Sequence, residues 1–235
     1  MNLIRYLLSC GLAVFLLVPW YSLGMMVGLV NATCGSRIIT SWNRFFLKLF
    51  HIEVSIERED AGEVPLNGCV FVLLNQTSLI ETPIVSVHLP YHRVIANIEY
   101  ALIPFYGWIM WVFGWVIVRQ RPQQARKTME KVTPFLRRGE NIWISIEGRR
   151  SQDGSLSPYK KGPVVLAMQA QARIVPFFIH GARDCLPYGE WRIRPGKVTV
   201  KFFKAISTEG MEYAHRDLLV SRLRSIAERE MHSQR

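Results

Sequence analysis

Three short segments hold residues whose types and spacing suit chemistry, and each lies at or beside the end of a predicted strand. The first is Asn75-Gln76-Thr77-Ser78-Leu79-Ile80-Glu81, which sets an amide and a carboxylate on one turn. A carboxylate withdrawn from water can serve as a general base, because burial disfavours its charged form and lifts its pKa toward neutrality. Gln76 cannot take that role: an amide has no nitrogen that accepts a proton near neutral pH, although it can hydrogen-bond a substrate oxygen. The second segment, Gly114-Trp115-Val116-Ile117-Val118-Arg119, ends in a cation. Glu147-Gly148-Arg149-Arg150-Ser151, the third, opens a polar loop that continues through Gln152 to Pro158 and closes on Lys160-Lys161-Gly162. Such a loop can surround a phosphate with charge-assisted donors, and Arg adds bidentate geometry.

The elements that must position these segments are legible from periodicity. Cys69-Val70-Phe71-Val72-Leu73-Leu74 is an uninterrupted β-type run, the mark of a strand buried on both faces, and His51 to Glu57 alternates as a half-buried strand does. Further strands are predicted over Arg93 to Ala96, Trp115 to Arg119, Asn141 to Ile146, Ile174 to His180 and Lys197 to Phe203. Helices are predicted from Thr77 to Val87, Pro122 to Arg138, Lys161 to Gln171 and Tyr213 to Met231, with a turn-rich loop over Asp60 to Gly68. Strands alternating with helices predict an α/β fold, a mixed and largely parallel sheet flanked by helices. The aromatic stretch from Pro104 to Val118, with Trp108, Trp111 and Trp115, reads equally as interfacial contact or as a buried core helix.

The N-terminus sets the setting. No charged side chain occurs between Arg5 and Arg37, longer than the roughly 20 apolar residues that cross a bilayer and than the roughly 7–15 of a signal peptide. Pro19 and Trp20 divide the run, so one kinked helix or two short helices that enter and leave the same face would serve. From Ser41 to Phe50 the pattern is amphipathic. Residues 1–40 therefore read as a membrane anchor and 41–235 as the α/β domain. The chain carries 29 Lys and Arg against 18 Asp and Glu, a formal net charge of +11, which implies an anionic partner. With a mean hydropathy of +0.12 that partner is a membrane surface or a phosphate-bearing substrate, and no nucleic acid is expected. Cys10, Cys34, Cys69 and Cys185 show neither C-x-x-C pairing nor a nearby His at ligand spacing, so no metal site is expected. The sequence carries no signal of oligomeric state.

From about Trp42 to Phe203 the chain resembles the bacterial 1-acylglycerol-3-phosphate (lysophosphatidic acid) acyltransferases and their glycerolipid relatives. That family has N-H-x-x-x-x-D after a buried strand, a G-x-x-(F/V)-(I/V)-x-R block, then E-G-T-R-S and a later V-P-(I/V) strand. Asn75, Ser78, Gly114, Val118, Arg119, Glu147, Gly148, Arg150, Ser151, Lys161, Gly162, Val175 and Pro176 match it in order and in approximate spacing. The resemblance implies acyl transfer from a thioester, acyl-CoA or acyl carrier protein, to a hydroxyl of a lysophospholipid, with membrane lipids as partners and no other cofactor. It also implies a membrane location with the domain facing the cytoplasm. Arg119, Glu147, Gly148, Arg149, Arg150 and Ser151 fall where the family binds the acceptor phosphate and shapes the site, with Arg119 and Arg150 foremost for phosphate and Glu147 as a partner for those arginines.

Four positions depart from the pattern. Gln76 stands where the family has its catalytic His, Glu81 where it has the orienting Asp, Asn97 where a Lys is frequent, and Arg149 where Thr is usual. The exchanges at 97 and 149 would move positive charge from one to the other. Three readings of the altered site follow. Glu81 is the base and Gln76 hydrogen-bonds the acceptor or the thioester oxygen; or the chain binds lipid without catalysis; or His88, His92 or His180 supplies the base, with His180, at a strand end, foremost. An acceptor outside the glycerolipids is a further alternative.

Overall fold

The computed structural model describes residues 3–59, 67–102, 106–118 and 121–233. Seven strands form one sheet: β1 (Ile52–Arg58), β2 (Cys69–Leu73), β3 (His92–Asn97), β4 (Gly114–Ile117), β5 (Asn141–Ser145), β6 (Arg173–His180) and β7 (Gly196–Phe202), in the order β1-β7-β6-β2-β5-β3-β4. All neighbours run parallel except β6 and β7, so the sheet is mixed and largely parallel, as the alternation of elements predicts. β2 lies between β5 and β6, and all five of its residues are buried. Its side chains alternate between two cores: Cys69, Phe71 and Leu73 face one, Val70 and Val72 the other.

Helices cover both faces. On the first lie α1 (Leu3–Val30), α2 (Ala32–Leu49), α3 (Glu81–His88) and α5 (Tyr106–Phe113), with the short α4 (Ile98–Ala101) beside them and α8 (Ala182–Cys185) near β7. On the second lie α6 (Pro122–Arg137), α7 (Gly162–Ala170) and α9 (Arg216–His232). Of the aromatic stretch, Tyr106–Phe113 is α5 and Gly114–Ile117 is β4; Ile109, Met110 and Phe113 are buried there while Trp108 is exposed.

α1 continues through Pro19 without a break and α2 turns back against it. The amphipathic helix begins earlier than its pattern suggests because Asn31 caps it, accepting from the backbone N–H of Cys34 at 3.0 Å. The two helices touch through glycine: a Cβ on Gly35 would collide with the backbone of Gly24 and Gly28. α1 turns Leu7, Leu8, Phe15, Leu23, Met26 and Leu29 outward to solvent, while Tyr6, Ala13 and Tyr21 join the core.

Candidate active site

Parallel strands end together, so β2, β3 and β5 bring the segments that follow them to one edge of the sheet. The loop after β2 starts at Asn75, whose buried amide spans to β6: Nδ2 donates to the carbonyl of Ile179 at 2.8 Å and Oδ1 accepts from its N–H at 2.9 Å. Asn75 therefore pairs with a strand it does not adjoin in sequence and aims the next residues out of the sheet. Ser78 fixes the far side of the turn by donating to the carbonyl of Leu186 at 2.7 Å.

Glu147 and the loop it opens clamp Gln76 from both sides of its backbone. The N–H of Gln76 donates to Glu147 Oε2 at 2.6 Å, and the carbonyl of Gln76 accepts from the N–H of Ser151 at 2.6 Å. Glu147 Oε1 takes the N–H of Ser157, so the carboxyl ties two loops together rather than holding Arg150 as the sequence suggests; Arg119, the other arginine expected beside it, lies outside the described residues. Gly148 follows with φ of +69°, a conformation that glycine adopts without the strain of a Cβ.

Glu81 is 2% exposed. The predicted helix starts here and not at Thr77, because Glu81 reaches back: its Oε1 accepts from the N–H of Thr77 (2.7 Å), the hydroxyl of Thr77 (2.9 Å) and the N–H of Ser78 (3.0 Å). Those amides are thereby held in a turn instead of a helix. Oε2 of Glu81 is buried without a partner. Burial pushes the carboxyl up to about 8, against the pull of the Thr77 and Ser78 hydrogen bonds and with the help of the nearby Glu147 charge. Burial likewise lifts Glu147 to about 7 against its two backbone donors.

Three cavities meet around this turn. A polar cleft of about 590 Å³ is lined by Arg149, Arg150, Ser151, Ser157, Tyr100 and Tyr188 among others, and the Arg150 guanidinium lies 4.8 Å from the centre of the Tyr188 ring. Tyr100 also lines a small cavity of about 40 Å³ with Gln76, Asn97 and Ser145. Gln76 Nε2 donates to the Tyr100 hydroxyl at 2.9 Å. Through Thr82, Val94 and Trp143 the small cavity shares its wall with a third, about 70 Å³, between α1, α2, α5 and the sheet, lined by Ile39, Ile109, Met110 and Phe113. A polar cleft, a small cavity of mixed lining and a mostly apolar cavity thus lie side by side.

Of the residues the sequence singles out, Gln76, Glu147, Gly148, Arg149, Arg150 and Ser151 gather here, Glu81 lies buried behind the turn, and Arg119 lies outside the described residues. Of the histidines, His92 lines the third cavity, whereas His88 and His180 line none of the three. His180 Nε2 lies 2.9 Å from Glu230 of α9, and His92, at the opposite end of β3 from Asn97, has Nδ1 2.8 Å from the carbonyl of Pro90. Tyr100, Tyr188 and Arg224 also belong to the site and carry no sequence motif; Arg224 donates to the carbonyls of Leu156 and Ser157 and so braces the loop under Glu147. No cluster of metal-binding side chains occurs among the described residues.

A family model described as Acyltransferase matches residues 55–180. The 1-acyl-sn-glycerol-3-phosphate acyltransferase of Limnanthes alba is 30% identical over 203 residues, 85% of this chain and 68% of that protein. The 1-acyl-sn-glycerol-3-phosphate acyltransferase alpha of Ovis aries is 29% identical over 185 residues, 76% of this chain and 64% of that protein; the chain thus spans under two thirds of the sheep protein's length. Among solved structures, the crystal structure of the 1-acyl-sn-glycerophosphate (LPA) acyltransferase PlsC from Thermotoga maritima matches with a TM-score of 0.76 at 20% identity, covering 100% of this chain and 98% of that one.

Proposed function

Because this chain belongs to the acyltransferase family, we propose that it moves a fatty acyl group from a thioester, acyl-CoA or acyl carrier protein, to a hydroxyl of an anionic lysophospholipid. The observation that carries this reading is the arginine-lined cleft, suited to a phosphate head group, lying next to the small cavity at Gln76, whose further neighbour is walled by Ile39, Ile109, Met110 and Phe113. Acceptor and acyl chain would enter from opposite sides and meet at the turn. The acceptor oxygen attacks the thioester carbonyl carbon, its proton passes to a base, the C–S bond breaks, and the departing thiolate takes the proton.

Glu81 is the base in this reading. Its pKa, pushed up to about 8, lies close enough to working pH for proton transfer in either direction, and its unpartnered Oε2 is the oxygen left to accept. Gln76 orients the reacting groups. The outward apolar face of α1 lies in the bilayer and holds the cleft at its cytoplasmic surface, where acceptor lipids are found. Residues 1–40 act as the anchor and 41–235 as the catalytic domain.

The test supplies labelled palmitoyl-CoA or palmitoyl-acyl carrier protein and a panel of lysolipids to wild type, Glu81→Gln and Gln76→His. Wild type is expected to acylate an anionic lysolipid, and Glu81→Gln to lose at least 100-fold. If wild type acylates nothing while Gln76→His gains activity, a second reading replaces this one: lipid binding without turnover, favoured by the single fact that Gln76 cannot accept a proton. Full rate in Glu81→Gln would remove Glu81 as base.

A further inference from the structure

β3 ends at Asn97, which also begins α4. As the helix cap, Asn97 accepts the N–H of Ile98 on Oδ1 at 2.9 Å. That bond settles which way the amide faces, so Nδ2 is turned to the other side. There it has no partner, although Asn97 is only 7% exposed. Buried donors are nearly always satisfied, and one left open beside a cavity marks a place for a ligand atom. Among the described residues seven buried side-chain atoms lack a partner, and three of them, Asn97 Nδ2, Gln76 Oε1 and Trp143 Nε1, belong to residues that line the same 40 Å³ cavity. The cavity shares Tyr100 with the lining of the arginine cleft and Thr82, Val94 and Trp143 with that of the mostly apolar cavity.

We propose that Asn97 is a catalytic residue whose Nδ2 donates to the acyl carbonyl oxygen and stabilises the oxyanion formed when the acceptor attacks. The identity of the bound group rests on the acyl-transfer reading above. An acyl carbonyl needs a donor, supplied by Asn97, while the attacking hydroxyl passes its one proton to the base. As the acceptor oxygen bonds to the carbonyl carbon, the carbonyl π pair moves onto its oxygen, which gains negative charge and shortens its hydrogen bond to Nδ2. When the pair returns, the C–S bond breaks. A preorganised neutral donor of this kind needs no reorganisation during reaction, and losing one costs roughly 100- to 1,000-fold in rate.

Two variants separate this role from helix capping. Asn97→Ser keeps an oxygen for the Ile98 N–H but lacks the amide donor; Asn97→Leu lacks both. Each is measured for melting temperature, for kcat and KM with labelled palmitoyl-CoA and lysophosphatidic acid, and for binding of a hexadecylphosphonate monoester of glycerol 3-phosphate, whose tetrahedral anionic centre mimics the oxyanion. Asn97→Ser is expected to melt close to wild type yet lose about 100-fold in kcat, with KM changed less than threefold and the phosphonate bound about 100-fold more weakly. If capping is the whole role, Asn97→Ser matches wild type in all four readouts and the proposal is overturned. Failure of wild type to bind the phosphonate overturns it too. Should wild type bind the phosphonate and Asn97→Ser lose it, while wild type forms no labelled product, the acyl-transfer reading fails and the donor assignment stands.

Discussion

Replacing Glu147 by Gln tests how the site tolerates a buried carboxyl, and the sign of its effect should change with pH. In the native protein the two oxygens of Glu147, 1% exposed, accept from the N–H groups of Gln76 and Ser157. Gln keeps one acceptor and turns an NH₂ toward the other amide, leaving one buried donor unsatisfied at about 1–3 kcal/mol. Against that stands the cost of the charge. A rise from 4.5 to about 7 in the folded state is worth about 3 kcal/mol at roughly 1.4 kcal/mol per pH unit. Because the folded pKa is raised, the folded state prefers the protonated acid. Its contribution is fully present below 4.5 and is lost as pH climbs through about 7. Glu147→Gln carries no such dependence. At pH 5 the variant should be less stable by about 1–3 kcal/mol; by pH 8 the wild type has given up about 2–3 kcal/mol more, and the two should be equal or reversed. Denaturant unfolding in detergent micelles at both pH values reads the difference. A gap that stays constant within about 1 kcal/mol between pH 5 and pH 8 would refute a raised Glu147 pKa.

Two further outcomes follow from the same contacts. Asn75→Ala strips both the N–H and the carbonyl of buried Ile179 of their partner, so unfolding free energy should drop by about 2–5 kcal/mol. Arg149→Ala and Arg150→Ala open the polar cleft without touching the two smaller cavities; each should raise KM for an anionic lysolipid about tenfold or more and leave KM for palmitoyl-CoA within about threefold, and the effect should shrink in high salt. Equal increases in both KM values would place the arginines elsewhere than the acceptor side.

The sheet was legible because its central strands are uninterrupted apolar runs of the right length, and the polar cleft because Arg149 and Arg150 stand together after one of them. What the sequence hid has a common physical cause: it depends on residues meeting from afar. The start of α3 at Glu81 is set by a side chain reaching back to Thr77 and Ser78, so a helical pattern from Thr77 onward misled. Glu147 looked like a partner for arginine, yet its carboxyl is occupied by two amides from separate loops. Neither Tyr100 against Gln76 nor Tyr188 under Arg150 leaves any spacing signal, since α4 and the segment after α8 arrive from different parts of the chain. That β7 runs antiparallel to β6 is likewise invisible in its own residues.

The turn after β2 ties both carboxylates into one structure, and one more prediction follows from it. Three consecutive amides, those of Gln76, Thr77 and Ser78, point at two buried carboxyl groups, Glu147 for the first and Glu81 for the others. Each carboxylate holds the backbone in the shape that presents Gln76 to the cavity, so neither can be lost without loosening the other's donors. Their proximity also couples their protons, because the Glu147 charge raises the pKa of Glu81. If Glu81 is the base, the rate of acyl transfer should rise with pH and level off above about 8. Glu147→Gln removes the neighbouring charge, which lowers the Glu81 pKa, and the midpoint of that rise should move to lower pH even if the plateau falls. A profile of kcat against pH for both proteins decides it. A midpoint that stays in place in Glu147→Gln while following a conservative change at Glu81 would uncouple the pair, and a profile without a rise below pH 9 would leave Glu81 a purely structural clamp.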